Sequence, residues 1–364
     1  MVISARPSAN ASALFSHPKT SQRLNIEFYP LGRDALLASL IALGLKKGDG
    51  VIIPAYMCNS TLVPLESYGF RLIFVDVNHD LSLSLKSLQD AAAGASAKAL
   101  LLVHYFGFLQ IVKPISQVCE SLGIKLIEDF SHSFLSHSAF DQQLLSTDAQ
   151  IFSMRKSLPI VDGGALRLKH VEYDISKDHC APCASLLTEW MYLFKRLVEK
   201  ILTLLHVNIY ANWISNNREK PSTEGNVALN TESCHPSWQL NQYLSDQDYL
   251  QHTQQRIKYN FKQLSTKLTA LGIESLFAET NEREVPQALV VRDPQGGMVE
   301  YLRSHGVGAW RWPAEEMPET VAQQTERYPN ANYYNKSLVL LPIHQSVSDR
   351  QIDYMAQVLS RWQS

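Results

Sequence analysis

Cysteine is scarce in this sequence: five residues in 364, at Cys58, Cys119, Cys180, Cys183 and Cys234. That number does not make a disulfide scaffold in a chain this long, and free thiols in a reducing cytoplasm are the simplest expectation. Long apolar runs are missing as well. None reaches the roughly 18 residues of a membrane span, and the first 20 residues lack the unbroken apolar core of a secretory signal. Charge of one sign is not in excess, with 33 Lys+Arg against 35 Asp+Glu and a formal charge of −2. Such a balance supplies no global field for a polyanion, so nucleic acid is not an expected partner. No Gly-x-Gly-x-x-Gly or Walker-type phosphate loop occurs. What is present, 45% apolar and 19% charged residues, is the balance of a soluble globular protein of two or three structural units.

From Asn25 onward, short apolar runs alternate with helical patterns. Val51–Ile53, Leu72–Val75, Ala99–Val103 and Lys125–Ile127 are continuous enough to be strands buried on both faces. Asp34–Leu45, Asn59–Tyr68, Ser84–Ala93 and Val112–Leu122 carry helical spacing, with Gly44, Gly69 and Gly123 at or just past helix ends. The alternation predicts an α/β fold, a three-layer domain with a mostly parallel sheet. The strand ends Pro54, Asp76, His104 and Glu128-Asp129 then share one rim, where open α/β sheets bind ligands. Further on, a long helix over Ser245–Leu271, strands at Ala288–Val291, Gly306–Pro313 and Ser337–Leu341, and a helix at Ser348–Trp362 suggest a smaller α+β C-terminal domain. The expected division is an N-terminal arm (1–24), a large domain (25–233) with a helical insertion at about 178–225, and a small domain (234–364).

Within the insertion, Leu187, Trp190, Met191, Phe194, Val198, Ile201 and Leu205 share one face of a helix over Ser185–Leu205, and charged residues take the other. A core helix is the first reading, with a dimer contact and a membrane-surface helix as alternatives. The mixed signs of the polar face speak against a membrane surface. Asn216–Ser233 is polar and aperiodic, and reads as a linker or long loop.

The chemistry concentrates in Leu126-Ile127-Glu128-Asp129-Phe130-Ser131-His132, where a buried strand ends in a carboxylate with a histidine three residues later. Beyond it lie Phe152-Ser153-Met154-Arg155-Lys156 and a Gly163-Gly164 pair. A lysine beside an arginine becomes a nucleophile if burial and nearby positive charge lower its pKa. An aspartate at a strand end can hold a protonated ring nitrogen. Pyridoxal 5'-phosphate (PLP) requires such a pair. The alternative is an ordinary strand-end carboxylate and a surface lysine.

The ordered motifs resemble the DegT/DnrJ/EryC1/StrS family of PLP-dependent sugar aminotransferases, which have the aspartate-aminotransferase type of fold. Gly32-Arg33-Asp34-Ala35-Leu36 resembles its phosphate turn, and Gly48-Asp49-Gly50-Val51-Ile52-Ile53-Pro54 its Gly-Asp-Glu-Val-Ile-Val-Pro. Phe74–Val77, Val103–Gly107, Ile127–Asp129 and Leu340–His344 have counterparts in the same order. The resemblance implies Lys156 as the Schiff-base lysine, Asp129 as partner of the pyridine nitrogen and His132 near the ring's phenolic oxygen. It places the phosphate on Ser153 and the amides of Gly32 and Arg33, a helix N-terminus being a natural anion site.

The chain also departs from the family. Leu31 and Arg33 flank the phosphate-turn glycine in place of Ser or Thr. Cys58 stands where an aromatic stacks on the ring, leaving Tyr56 or Tyr105 as candidates for that task. Ser153 and Lys156 are two residues closer than usual. The family's Asn-Tyr-Arg segment has no clear counterpart.

The resemblance implies transfer of an amino group from an amino acid, glutamate foremost, to a nucleotide-linked keto sugar, as in polysaccharide biosynthesis. It implies pyridoxamine phosphate between the two halves, and a cytoplasmic homodimer with interfacial sites. A PLP enzyme acting outside sugar metabolism, or a non-catalytic PLP-binding regulator, are the other readings. A sugar dehydratase of this family would carry histidine in place of Lys156. His104, Tyr105, Arg155, Trp310, Arg311 and His344 are candidate substrate contacts. The two histidines are equally readable as strand-end structural residues, and Trp310-Arg311-Trp312 as a packing strand. Unpaired thiols are the first reading of Cys180, Cys183 and Cys234, with a zinc site at these three and a histidine, or a redox Cys-x-x-Cys, as alternatives. No metal is expected.

Overall fold

The computed structural model describes residues 1–9, 25–136, 147–169, 181–208 and 229–362. Among them, seven strands form the main sheet: β1 (Glu27–Tyr29), β2 (Gly50–Pro54), β3 (Arg71–Val75), β4 (Ala97–Val103), β5 (Lys125–Asp129), β6 (Ala149–Ser153) and β7 (Gly164–Leu168). Their order is β1-β7-β6-β5-β4-β2-β3. The pairs from β3 through β6 are parallel, whereas β6–β7 and β7–β1 are antiparallel. The expected mostly parallel α/β sheet is therefore present.

Side chains on the central strands alternate between two cores, as a pleated strand requires. Ile52, Leu100, Leu102 and Leu126 join one cluster with Leu88 of α3 (Leu85–Ala95) and with Ile115 and Cys119 of α4 (Val112–Leu122). Val51, Ile53, Leu101 and Ile127 join the other with Leu36 and Leu40 of α1 (Gly32–Ala42) and Leu62 of α2 (Asn59–Tyr68). Burial pushes the Cys119 thiol up to about 12, the behaviour of a space-filling core cysteine.

The rest of the described chain holds α5 (Leu186–Leu204), α6 (Trp238–Ser245), α7 (Gln247–Ala270), β8 (Ala288–Arg292), α8 (Met298–Ser304), α9 (Glu319–Ala322), α10 (Pro329–Ser337), β9 (Leu338–Pro342) and α11 (Asp349–Trp362). β8 and β9 pair antiparallel. The long helical pattern begins at Gln247 because Asp246 caps it, its carboxylate accepting the Tyr249 amide at 2.9 Å. Gly306–Pro313 is not a strand. Its pairing is limited to isolated bridges from Val307 to Ile3 and from Trp310 to Leu340.

Two further expectations need correction. The helix over Ser185–Leu205 exists, but it is not a core helix. Leu187 and Phe194 are 71% and 68% exposed, whereas Glu189 and Arg196 are 1% and 6% exposed. The thiols are not all unpaired either, since Cys183 and Cys234 form a disulfide with Cα atoms 5.1 Å apart. The Pro182–His235 bridge and the Cys183 amide on the His235 carbonyl, 2.8 Å, bring the two segments together. Cys180 and most of the expected linker lie outside the described residues. Among the described residues, no cluster of three or more His, Cys, Asp or Glu is placed to hold a metal ion.

Candidate cofactor and active site

The ends of β5 and β6 and the start of α1 converge. Asp129 is the last residue of β5 and is buried; its Oδ1 accepts the Ser131 amide at 2.7 Å. That contact fixes the carboxylate at the rim. His132 follows in the next turn, buried and stacked on Phe106 with ring centroids 5.3 Å apart and planes 10° from parallel. Burial, reinforced by the Lys156 charge, holds its imidazole well below the ordinary histidine range, so it is neutral. Its Nδ1 is buried without a hydrogen-bond partner among the described residues.

Lys156 ends a short 3₁₀ turn, Met154–Lys156, that leaves β6 at Ser153. Burial lowers its ammonium below the ordinary lysine range, and the Asp129 carboxylate pulls in the other direction. A lysine so placed is more readily neutral, as a nucleophile must be. The Nζ lies 6.0 Å from the Trp312 ring centroid.

The start of α1 abuts the same rim. A Cβ on Gly32 would lie 3.0 Å from the Ser153 Cβ and 3.3 Å from the Ser131 Oγ, so any larger residue would push these neighbours by a few tenths of an ångström, and glycine lets the helix N-terminus approach β6 closely. Behind it, a Cβ on Gly164 of β7 would fall 2.3 Å from the Leu31 carbonyl. Asp34 Oδ2 accepts the Leu31 amide at 3.1 Å and shapes the turn. Arg33 donates through Nη1 to the Ser60 carbonyl at 3.4 Å, and its Nε is buried without a partner among the described residues.

A lid of aromatic rings closes over these groups. Trp312 meets His132, Tyr56, Phe106 and Tyr105 at centroid distances of 4.6, 5.2, 5.8 and 5.9 Å. The Tyr56 hydroxyl donates to the Trp312 carbonyl, and that of Tyr105 donates to the Tyr56 carbonyl at 2.7 Å. Phe106 holds a left-handed backbone at φ 54°. Its carbonyl accepts the Gln287 amide at 2.7 Å, and the next residue, Gly107, approaches Val285 so closely that a Cβ would lie 2.2 Å from that carbonyl. Cys58 Sγ donates to Glu316 Oε2 at 2.5 Å.

The sequence-derived residues therefore separate into two sets. Gly32, Arg33, Tyr56, Cys58, Asp129, His132, Ser153 and Lys156 gather at the rim, with Tyr105 behind them. Arg155 is exposed beside Lys156. His104 is elsewhere engaged: the Gln110 amide donates to its Nδ1 at 3.0 Å, so Nε2–H donates to Glu128, 3.1 Å away. His344 is bound the same way, with the Ser346 amide on Nδ1 and Nε2–H on the Ser4 carbonyl at 2.9 Å. Arg311 turns to Glu300 at 3.3 Å and Asp293 at 3.7 Å, and Trp310 pairs its backbone with Leu340. Phe106 and Glu316 are the residues at this rim that the sequence reading did not single out, and Trp312 was read only as part of the Trp310–Trp312 segment. The Val103–Gly107 motif contains the first. Glu316 carries no signal in the sequence.

The groups at the rim suit a flat, anionic, ring-nitrogen cofactor. A carboxylate, a partially desolvated lysine and a neutral histidine with a free ring nitrogen lie beside a helix N-terminus held open by glycine.

Comparison with known proteins gives a family match over part of the chain and likeness of fold over most of it. Residues 31–174 match the model of the DegT/DnrJ/EryC1/StrS aminotransferase family. The fold is similar to Spr1654 from Streptococcus pneumoniae in its PMP form, at 14% identity, covering 99% of this chain and 98% of that one, TM-score 0.69. It is similar to S. venezuelae DesV in complex with a ketimine intermediate, at 18% identity over 93% and 84% of the chains, TM-score 0.65. An E. coli GDP-4-keto-6-deoxy-D-mannose-3-dehydratase with bound hydrated PLP aligns at 18% identity over 96% and 89%, TM-score 0.62. The resemblance read from the motifs is borne out as far as residues 31–174, which match the model of that family, and the fold is similar to that of these solved structures.

Proposed function

We propose that this protein is a PLP-dependent aminotransferase that passes an amino group from an amino acid, glutamate foremost, to a nucleotide-linked keto sugar. One observation carries the reading: Lys156, its ammonium pK lowered by burial, stands with buried Asp129 and neutral His132 at the ends of β5 and β6. When bound, PLP supplies an electron sink for the carbanion at the donor's α-carbon. Asp129 would keep a proton on the ring nitrogen, and His132 would offer a hydrogen bond to the phenolic oxygen. Ser153 and the amides of Gly32 and Arg33 would hold the phosphate, with the α1 N-terminus adding its positive end. Lys156 Nζ would be the base that takes the proton from the donor's α-carbon in the first half and, in a separate transfer in the second half, the acid that delivers one to the former carbonyl carbon of the acceptor. The lid of Trp312, Tyr56 and Phe106 keeps water from that transfer. A homodimer completes the proposed assembly.

The test is the half-reaction with each donor. Glutamate added to PLP-loaded protein should release 2-oxoglutarate once per site, and a panel of nucleotide-linked keto sugars should then accept the amine. Release of 2-oxoglutarate with no acceptor among the sugars would move the enzyme outside sugar metabolism. No release from any amino acid would leave a cofactor-binding protein without transaminase activity.

A further inference from the structure

The disulfide between Cys183 and Cys234 joins residues 51 apart in sequence and takes no part in the chemistry proposed above. Both cysteines are half-buried, and Ala181 and Pro182 beside them are exposed, so a small thiol can reach the bond. Around it the two segments exchange backbone hydrogen bonds. The Cys183 amide donates to the His235 carbonyl at 2.8 Å, and the His235 amide to the Ala181 carbonyl at 3.1 Å.

Cys234 opens a brace, Cys234–Ser237, that stands behind the proposed phosphate turn, and two routes lead from it to the rim. In the first, the Cys234 amide donates to the Phe28 carbonyl at 2.8 Å, an isolated antiparallel bridge on β1. The next residue of β1, Tyr29, pairs with Gly164 of β7, and the chain then runs through Leu31 into α1. In the second, buried Ser237 donates its hydroxyl to Asp162 Oδ1 at 2.8 Å and its amide to Oδ2 at 3.2 Å. Asp162 leads into Gly163, whose carbonyl accepts the Met154 amide at 2.8 Å where the turn carrying Lys156 begins. It leads also into Gly164, which packs directly on the Leu31 carbonyl. One segment thus supports the phosphate turn and the lysine turn together. Beyond Ser237 the brace is fastened to α5, the Gln239 amide donating to Glu189 Oε1 at 2.9 Å and Gln239 Nε2 to the Glu189 carbonyl at 3.0 Å. At its other end the covalent fastening is the disulfide. An isolated bridge without a strand ladder is the kind of contact that opens locally, and the cystine holds Cys234 against that opening.

We infer that Cys183–Cys234 is a redox-modifiable site, open to a dithiol, whose oxidised form fixes the turn that holds the cofactor phosphate. The inference rests on the cofactor reading of the rim. A thiolate of the dithiol attacks one cystine sulfur, and the other sulfur leaves as a thiolate and takes up a proton. The reagent's second thiol then displaces the first protein sulfur. The reagent ends as a disulfide and the protein with two thiols, two electrons and two protons having passed between them. Reduction frees the Cys234 end of the brace, and the turn loses its support on the β1 side.

The test uses the full-length protein, with PLP affinity measured by equilibrium titration before and after dithiothreitol treatment and the fold followed by circular dichroism. The expected result is a Cys183–Cys234 peptide in the non-reducing map and PLP binding at least fivefold weaker after reduction, at unchanged fold. Cys183→Ser/Cys234→Ser should bind PLP as the reduced protein does, with dithiothreitol making no further difference. That variant separates the cystine from any reaction of the reagent with the cofactor. Equal PLP affinity of the oxidised and reduced proteins overturns the inference and leaves the cofactor reading standing. So does loss of the fold on reduction, which would make the bond a general staple, or a map that pairs Cys183 with Cys180. Absence of PLP binding in both forms overturns the inference and the cofactor reading together.

Discussion

Cys58 donates its thiol to Glu316 Oε2 across 2.5 Å, linking residues 258 positions apart in sequence. Cys58 stands where the family resemblance leads one to expect a ring-stacking aromatic, and Glu316 comes from the segment that follows Trp312. The contact ties the C-terminal part of the chain to the rim that carries Asp129 and Lys156 by a hydrogen bond rather than by stacking. Burial raises the Cys58 thiol pKa, and the Glu316 hydrogen bond raises it further.

Glu316→Ala should therefore lower the Cys58 pKa and make the thiol more reactive. Alkylation at Cys58, followed by peptide mass mapping between pH 7 and pH 9, should be several-fold faster in the variant. An unchanged rate profile would mean that Glu316 does not hold the proton on Cys58.

Gly164 lies behind the proposed phosphate turn, where an added Cβ would strike the Leu31 carbonyl at 2.3 Å and the Gly32 nitrogen at 2.9 Å. Since both are backbone atoms, the turn itself has to shift. Gly164→Ala should weaken PLP binding by tenfold or more in an equilibrium titration. Gly48→Ala is the comparison: its φ is +88° with nothing within 4 Å, so it should cost about 1 kcal/mol of stability and leave PLP affinity alone. Equal affinities in both variants would remove the phosphate from this turn.

His344 is held neutral by burial, its pKa lowered to about 4 from 6.5. Above pH 6.5 the imidazole is neutral in the folded and unfolded chain alike and adds no pH dependence. Between pH 6.5 and pH 4 the unfolded state binds the proton first, so stability falls as pH falls. The share from this residue is about 3 kcal/mol by linkage. Urea unfolding across that window should show a shallower acid loss in His344→Gln than in the wild type. Parallel curves would mean that His344 protonates in the folded state.

Much of the frame was legible because the central strands are buried on both faces and therefore read as unbroken apolar runs. β6 and β7 were harder. Gln150 is polar yet buried, donating through Nε2 to Glu128 at 3.1 Å, and Arg167 is likewise buried. In α5 the periodicity gave the correct apolar arc and the wrong inside. A pattern states which residues share a face, but not whether Glu189 and Arg196 find backbone partners that bury the other one. The Trp310–Trp312 segment shows the same limit, since successive residues of extended backbone point apart. Trp312 went to the site, and Arg311 to Asp293 and Glu300. Asp129, His132 and Lys156 were marked by the family's motifs rather than by spacing, and the fold brings them together just beyond the ends of β5 and β6; their roles toward a cofactor are part of the proposal.

The most direct measurement of the central claim is borohydride reduction of the PLP-reconstituted protein, followed by peptide mapping. The account predicts a visible absorbance that reduction bleaches, with the pyridoxyl label on Lys156 and no label in Lys156→Ala. A colourless protein after reconstitution, or a label on a different lysine, would contradict it.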